Sequence, residues 1–563
     1  MRIALFLLVA LSLNASTYTI KFDGNTHISD DKLFEAIGVY NPYFFEVFSD
    51  KPSLKEDAIS KSAAEIENFY RSSGFYKARV SYITKDSTVT YKIIENSPII
   101  IKTIQINSIL DVEKSLQLQI EDIFDEDKFA QTKLAIRKKY AEAGYCNAEL
   151  ESKAWVDIED FTAHLVFEAI PLQKCYFGAI HIDSSANIDS EILEGLLYFS
   201  EGDEYSLESI RQSYESLYAK EAISKVLIND NERDGSRVPI SISIEESEKP
   251  VRFSAGVGYS SDEGVMGQLG LKHRNILGNL KTLSIDSRYS SIKQELSSTL
   301  SYPISRRGVL GAEIGYVNEI FDGYKSESIY EKITASYFHK PISFMSGVLF
   351  DKVRTYDSDD ERSFVNSKLF IPSPILEANI DTRDRALEPT SGYTLNAKLS
   401  GSAYMNHISD ATYFKSNLSG SHISSIGDHI FGIKAHWGTL RRYAGELPSS
   451  YRFYAGGMSS NRAYTYRNLG PKNSSGDPIG FNSIVEGSIE YRFPIWREIR
   501  GVVFSDITYA SEHFTPNFRD DGYLATGLGI RYSTPIGPIA LDFGFKPSDI
   551  SINAIHFRIG ELF

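Results

Sequence analysis

The chain is poor in the residues that carry chemistry. Its 563 residues include 2 cysteines, 3 tryptophans and 11 histidines. The histidines do not cluster at metal-ligand spacing. No Cys-x-x-Cys, His-Glu-x-x-His, Gly-x-Ser-x-Gly or phosphate-loop pattern occurs either. The sequence therefore points to no enzyme, no metal site and no cofactor. A net charge of −15 gives no basic stripe of the kind nucleic acid requires. Long apolar runs are also missing: beyond Leu13 no stretch approaches the ~20 residues a transmembrane helix needs.

Aromatic residues are plentiful, at 12% with 34 Tyr and 33 Phe, which favours β-structure or the aromatic girdles of membrane interfaces. Met1-Arg2, the apolar run Ile3 to Leu13 and small residues at Ala15-Ser16 read as a secretory signal peptide over residues 1–16. The run is too short for a membrane anchor. Secretion would bring Cys146 and Cys175 into an oxidising compartment. Their spacing leaves both a disulfide and two separate thiols open.

Before residue 250 one pattern occurs three times. Ile59, Ala63, Ile66 and Tyr70 lie at helical spacing, Gly74 stops the helix, and a strand follows at Phe75 to Val80. Phe129, Ile136 and Tyr140 repeat this up to Gly144, and Leu207, Ile210, Tyr214 and Tyr218 repeat it again. The tyrosines Tyr70, Tyr140 and Tyr218 recur at intervals of about 70–80 residues, the size of a small domain rather than a solenoid unit. Each copy opens on a strand and closes on an alternating strand, a glutamate and a proline: Glu95 and Pro98, Glu168 and Pro171, Glu245 and Pro250. The unit reads strand, short helix, long helix, strand, strand. That order resembles the POTRA domain, a small periplasmic βααββ module, with copies over 17–97, 98–172 and 173–250. The resemblance implies capture of extended chains by strand addition at a sheet edge.

From Val251 helical spacing gives way to alternation in about sixteen runs, the last near Ala554, an even number suited to an outer-membrane barrel over 251–563. The sixth run is expected near Glu331, after a polar connection from Phe321 to Ser328. If the repeats are periplasmic, connections after even strands should be short. Pro303 to Arg307, Lys340-Pro341 and Ser424 to Asp428 are short, and the turn from Asp381 to Tyr393 is the exception. The fold class is thus α+β repeats followed by an all-β transmembrane barrel.

The longest connection, Tyr443 to Ser483, falls after strand eleven, on the outward side. It holds Gly456-Gly457, Arg462-Ala463-Tyr464 and Asn468-Leu469-Gly470-Pro471. An arginine among aromatics and glycines in so long a loop suits the barrel lumen, where it must find a carboxylate.

Repeats, barrel and loop together resemble the outer-membrane assembly-factor superfamily of BamA and TamA, and three repeats place the chain nearer TamA. The family's sixth loop carries Arg-Gly-Phe/Tyr, and here Ala463 replaces the glycine, which puts a close backbone approach in question. The resemblance implies that Arg462 pairs with Glu490 in Gly487-Ser488-Ile489-Glu490 and with Asp506 in Phe504-Ser505-Asp506. It also implies that Phe557, Ile559, Gly560 and Phe563 form a C-terminal assembly signal. The seam between Val251–Ser260 and the last strand contains Gly256, Gly258 and Gly560, which weaken strands. The implied function is insertion of outer-membrane or autotransporter-like clients by lateral opening of that seam. The expected partners are the bilayer, unfolded client chains and a TamB-like protein spanning the periplasm. The alternative is a two-partner secretion transporter.

Overall fold

The computed structural model describes residues 17–40, 52–386, 388–403, 408–496, 498–516, 518–519, 522–534 and 539–559. The expected signal peptide lies outside these residues, as do Gly560 and Phe563. Two compact units are present. One holds the chain up to His181 with Tyr198–Ser213 and Ile228–Ile242. The other holds Ile182–Leu197, Tyr214–Leu227 and everything from Ser243.

In the first repeat, Thr17–Asp23 pairs in parallel with Thr88–Ile94, which pairs antiparallel with Arg79–Lys85. A short strand, Ser53–Lys55, extends the other edge. Helix Glu56–Ser72 buries Ile59, Ala63, Ile66 and Tyr70 against Val89, Tyr91 and Ile93. The alternation of the strand and the 3.6-residue period of the helix supply the two apolar faces that meet there. The second repeat pairs Ile100–Asn107 with Thr162–Ile170 in parallel and Glu149–Asp157 with the same strand antiparallel. Its long helix, Glu126–Glu142, is capped by Asp125, which accepts from the Lys128 N–H at 2.8 Å. The short helix expected before it is only a 3-10 turn, Glu113–Ser115.

A third sheet runs in the order Tyr176–Ser184, Arg237–Glu246, Ile223–Asn229, so the closing strand is again central. Here the periodic reading of Tyr218 fails. Tyr70 and Tyr140 are buried, but Tyr218 is 49% exposed, and Ile210, Ser213 and Leu217 form the buried face of helix Leu207–Tyr218. The Tyr218 hydroxyl accepts from the Val226 N–H and donates to the Val226 carbonyl, which holds the ring across the strand rather than beneath it.

Glu95 shows what the repeated glutamate does in one copy and not in the others. Burial alone would push its carboxyl upward, yet hydrogen bonds from His27 Nδ1, the Thr26 hydroxyl, the His27 N–H and the Tyr70 hydroxyl outweigh that and hold it down at about 2. Glu168 and Glu245 are exposed, because they fall on the outward parity of their strands. A folded value below the ordinary carboxylate value of about 4.3 adds stability that is complete above that value and fades as pH falls toward 2. Full protonation should therefore cost the first repeat about 3 kcal/mol. Amide exchange of strand Thr88–Ile94 followed from pH 6 to pH 2.5 checks this, with Glu95→Gln expected to exchange fast at both ends of the range.

From Val251 sixteen antiparallel strands close into a barrel, from Val251–Ser260 to Asp549–Ile559. In strand five, Gly308–Phe321, Leu310 and Ile314 are exposed on the outer face, while Glu313 faces inward and pairs with Lys332 at 2.6 Å. The polar connection expected at Phe321 to Ser328 does not exist. Strands five and six run on to a two-residue turn in which Phe321 is paired with Tyr324, so strand six begins at Tyr324 and not at Glu331. The rings of Phe321 and Tyr324 stack at 4.6 Å and pack with Phe364, which gives this apparently polar segment an apolar core. The turn after strand eight is long, as expected, and braced by its own side chains. Arg383 binds Asp381, and Asp384 accepts from the N–H groups of Thr390 and Ser391.

Candidate functional site

The connection 446–482 links strand eleven, His429–Gly445, to strand twelve, Ser483–Trp496. It doubles back on itself: Phe453 and Phe481 exchange backbone hydrogen bonds of 2.9 and 2.7 Å, and the Leu469 N–H donates to the Ala455 carbonyl at 3.1 Å. Gly456 and Gly457 both have φ +102°. A Cβ on Gly456 would lie 2.5 Å from the Thr465 carbonyl oxygen, and one on Gly457 2.7 Å from Asp262 Oδ2. Both positions therefore require glycine.

The turn delivers Arg462 to the barrel wall, where it is 5% exposed. Its Nε and Nη2 donate to the two Asp506 oxygens at 2.9 and 2.8 Å, and Nη1 donates to Glu490 Oε2 at 2.7 Å. Nη2 also reaches Ser488 Oγ at 3.2 Å, and the Arg462 N–H donates to Asp506 Oδ2 at 3.1 Å. The guanidinium lies over the Phe504 ring, 3.5 Å from its centroid. Glu490, Asp506 and Phe504 thus surround Arg462.

Asp542, Arg531, Arg492, His556 and Gly544 were not legible as members of this site in the sequence. Asp542 lies 3.7 Å from Arg462 Nη1 and accepts from Nη1 and Nη2 of Arg531, at 2.6 and 3.0 Å, while Arg492 Nε donates to Glu490 at 2.6 Å. The ion-paired cluster therefore sets three guanidiniums against three carboxylates. His556, on the last strand, donates from Nε2 to the Arg462 carbonyl at 3.1 Å, and its Nδ1 is 3.2 Å from Asp262 Oδ1. Gly544 faces the Arg462 backbone so closely that a Cβ there would fall 1.8 Å from the carbonyl oxygen. The available signal for these residues was parity: Asp542, Gly544 and His556 alternate with apolar neighbours in their strands.

The Gly544 contact answers the question raised by Ala463. The close backbone approach exists, but the wall supplies the glycine. Ala463 itself is 2% exposed and is absent from the positive-φ positions, so its methyl group is buried without backbone strain. Tyr464 meets Tyr523 edge-on at 5.9 Å and lies under Lys546 Nζ at 4.4 Å.

The same loop is fastened to the facing side of the barrel. Arg467 pairs with Glu319 at 2.5 Å and lies 4.3 Å from the Phe321 centroid. The Tyr451 hydroxyl donates to Asp351 at 2.7 Å, and Lys415 Nζ donates to the Tyr451 carbonyl at 2.7 Å. Each nitrogen of Arg462 has an acceptor, so the group acts as a clamp for a loop laid through the lumen.

At the seam, Tyr259 is opposite Ile559 and Ser260 opposite Arg558, and the Ser261 N–H donates to the Phe557 carbonyl at 2.8 Å. Gly258 approaches the Ile559 carbonyl, 3.0 Å from where its Cβ would lie. Gly256 is paired with Gln268 of strand two. Phe557 lies against Tyr259 with ring centroids 6.0 Å apart. Cys146 and Cys175 form a disulfide, with Cα atoms 5.8 Å apart.

Comparison with known proteins matches residues 248–563 to the Omp85 superfamily domain and residues 19–96 to POTRA, described as a surface antigen variable number repeat. The outer membrane protein assembly factor BamA of Nitratidesulfovibrio vulgaris is 23% identical over 593 residues, covering 97% of this chain and 73% of that protein. The crystal structure of BamA from Haemophilus ducreyi lacking POTRA domains 1–3 superposes with a TM-score of 0.67 at 18% identity, over 82% of this chain and 100% of that one.

Proposed function

Because this chain belongs to the Omp85 superfamily, we propose that it is an outer-membrane protein assembly factor whose barrel sits in the outer membrane and whose N-terminal repeats lie in the periplasm. In this reading the segments 17–97, 98–172 and 173–250 are three POTRA-like modules. They receive unfolded outer-membrane or autotransporter-like chains, or a TamB-like partner, by strand addition. The barrel from residue 251 then passes the client sideways into lipid through the seam, with no covalent step.

The observation that carries this reading is a closed barrel in which the first strand pairs with the last, at Tyr259–Ile559 and Ser260–Arg558 among the described residues. Lipid tolerates no unpaired backbone, so a client strand that enters here must take over the pairing that the last strand gives up. Depleting the protein should lower the outer-membrane content of β-barrel proteins or autotransporters while their precursors accumulate in the periplasm. An unchanged outer-membrane protein profile after depletion would contradict the function.

A further inference from the structure

The lumen loop touches both sides of the seam at once. Asp262 lies in the turn after strand one, and His556 belongs to strand sixteen. The Met458 N–H donates to Asp262 Oδ2 at 2.8 Å, His556 Nδ1 stands 3.2 Å from Asp262 Oδ1, and His556 Nε2 donates to the Arg462 carbonyl at 3.1 Å. The side chain of His556 is 2% exposed and that of Asp262 11%. A closed circuit results: first strand, loop, last strand, and back across the seam through the histidine. Hydrogen bonds shielded from water in this way are worth more than exposed ones.

We propose that Asp262 and His556 form a latch that holds the seam closed from inside and ties its opening to the position of the Arg462 loop. This rests on the assembly-factor reading and names the control built into it. The first and last strands cannot separate while His556 touches both Asp262 and the loop. Equally, the loop cannot leave its seat without freeing His556 and the Met458 N–H. Either movement undoes the same contacts, so an incoming client strand that displaces the last strand also loosens the loop from the lumen wall. Arg462 anchors the loop, and Asp262 and His556 are positioning residues that transmit its placement to the seam.

The test is amide exchange at residues 257–261 and 555–559 in the full-length protein in lipid nanodiscs, measured beside client assembly by the same preparations. Asp262→Leu and His556→Leu should each speed exchange at both seam segments by about tenfold, the loss of one or two buried hydrogen bonds. Exchange in strands twelve and thirteen should stay unchanged. Asp262→Asn, which keeps an acceptor for the Met458 N–H and a polar atom facing His556, should stay within about twofold of wild type. If a leucine variant does not form a barrel, His556→Gln takes its place, since it retains a donor toward the Arg462 carbonyl and gives up the ring contact with Asp262. Unchanged seam exchange in the latch variants, or acceleration spread evenly around the barrel, would overturn the latch. A seam that responds as expected in a protein that assembles no client would instead sink the functional reading and leave the latch standing.

Discussion

Arg462→Ala is expected to release the lumen loop while leaving the barrel folded. The substitution strips Asp506 of its bidentate partner and Glu490 of one of three cationic neighbours, inside a site where neither carboxylate can be rehydrated cheaply. Breaking a buried pair from one side costs about 3–5 kcal/mol. Arg492 and Arg531 remain to share the surplus negative charge, so the barrel wall should survive. The cost should fall on the loop, which loses its seat on Phe504 and its hold on strands twelve and thirteen. Protease added from outside intact cells should then cleave within 446–482, where the wild-type loop resists, and client assembly should fall at least tenfold. Arg462→Lys should fall between the two, because an ammonium keeps the charge but loses the fork that fits Asp506 and the flat face that covers the ring. Loss of the folded barrel along with the loop would show that the clamp serves stability rather than loop placement.

Much of this architecture could be read from alternation and helical period alone. Sixteen strands, a long connection after the eleventh, and repeats that bury Tyr70 and Tyr140 all follow from the spacing of apolar residues. The readings that failed did so where tertiary contacts override local pattern. Tyr218 repeats the spacing of the other two tyrosines but is held outward by Val226, while Leu217 fills the core in its place. Lys325 to Ser328 look like a polar loop, yet they extend strand six, because Phe321, Tyr324 and Phe364 stack beneath them.

The site was legible by halves. The aromatics and glycines of its long loop single out Arg462, whereas Glu490, Phe504 and Asp506 come from the resemblance to the assembly-factor superfamily and not from any spacing along the chain. Asp542 and His556 are 80 and 94 residues from Arg462 and reach it only because the barrel closes. No pattern along the chain announces a contact made by closure. Gly544 was missed for a related reason: a glycine in a strand reads as a bend, and its service as the floor beneath the Arg462 carbonyl depends on what the loop places opposite it.

The central claim is that the seam opens to admit a client, and a bond across it should abolish function without harming the fold. Tyr259 and Ile559 are directly opposite each other. Facing residues in an antiparallel ladder have Cα atoms about 4.5–5.5 Å apart, inside the span of about 4.4–6.8 Å that a disulfide bridges. Neither side chain belongs to the Arg462 clamp, so Tyr259→Cys with Ile559→Cys tests the seam alone. The native pair is first replaced by Cys146→Ser and Cys175→Ser, so that reduction acts on the new bond only. The most direct measurement is the rate at which this protein, reconstituted in lipid vesicles, assembles an outer-membrane client in the oxidised and then the reduced state. A folded barrel is expected in both states, with assembly reduced to the protein-free rate when oxidised and recovery of the rate of the cysteine-free parent on reduction. Full assembly by the crosslinked barrel would contradict the claim.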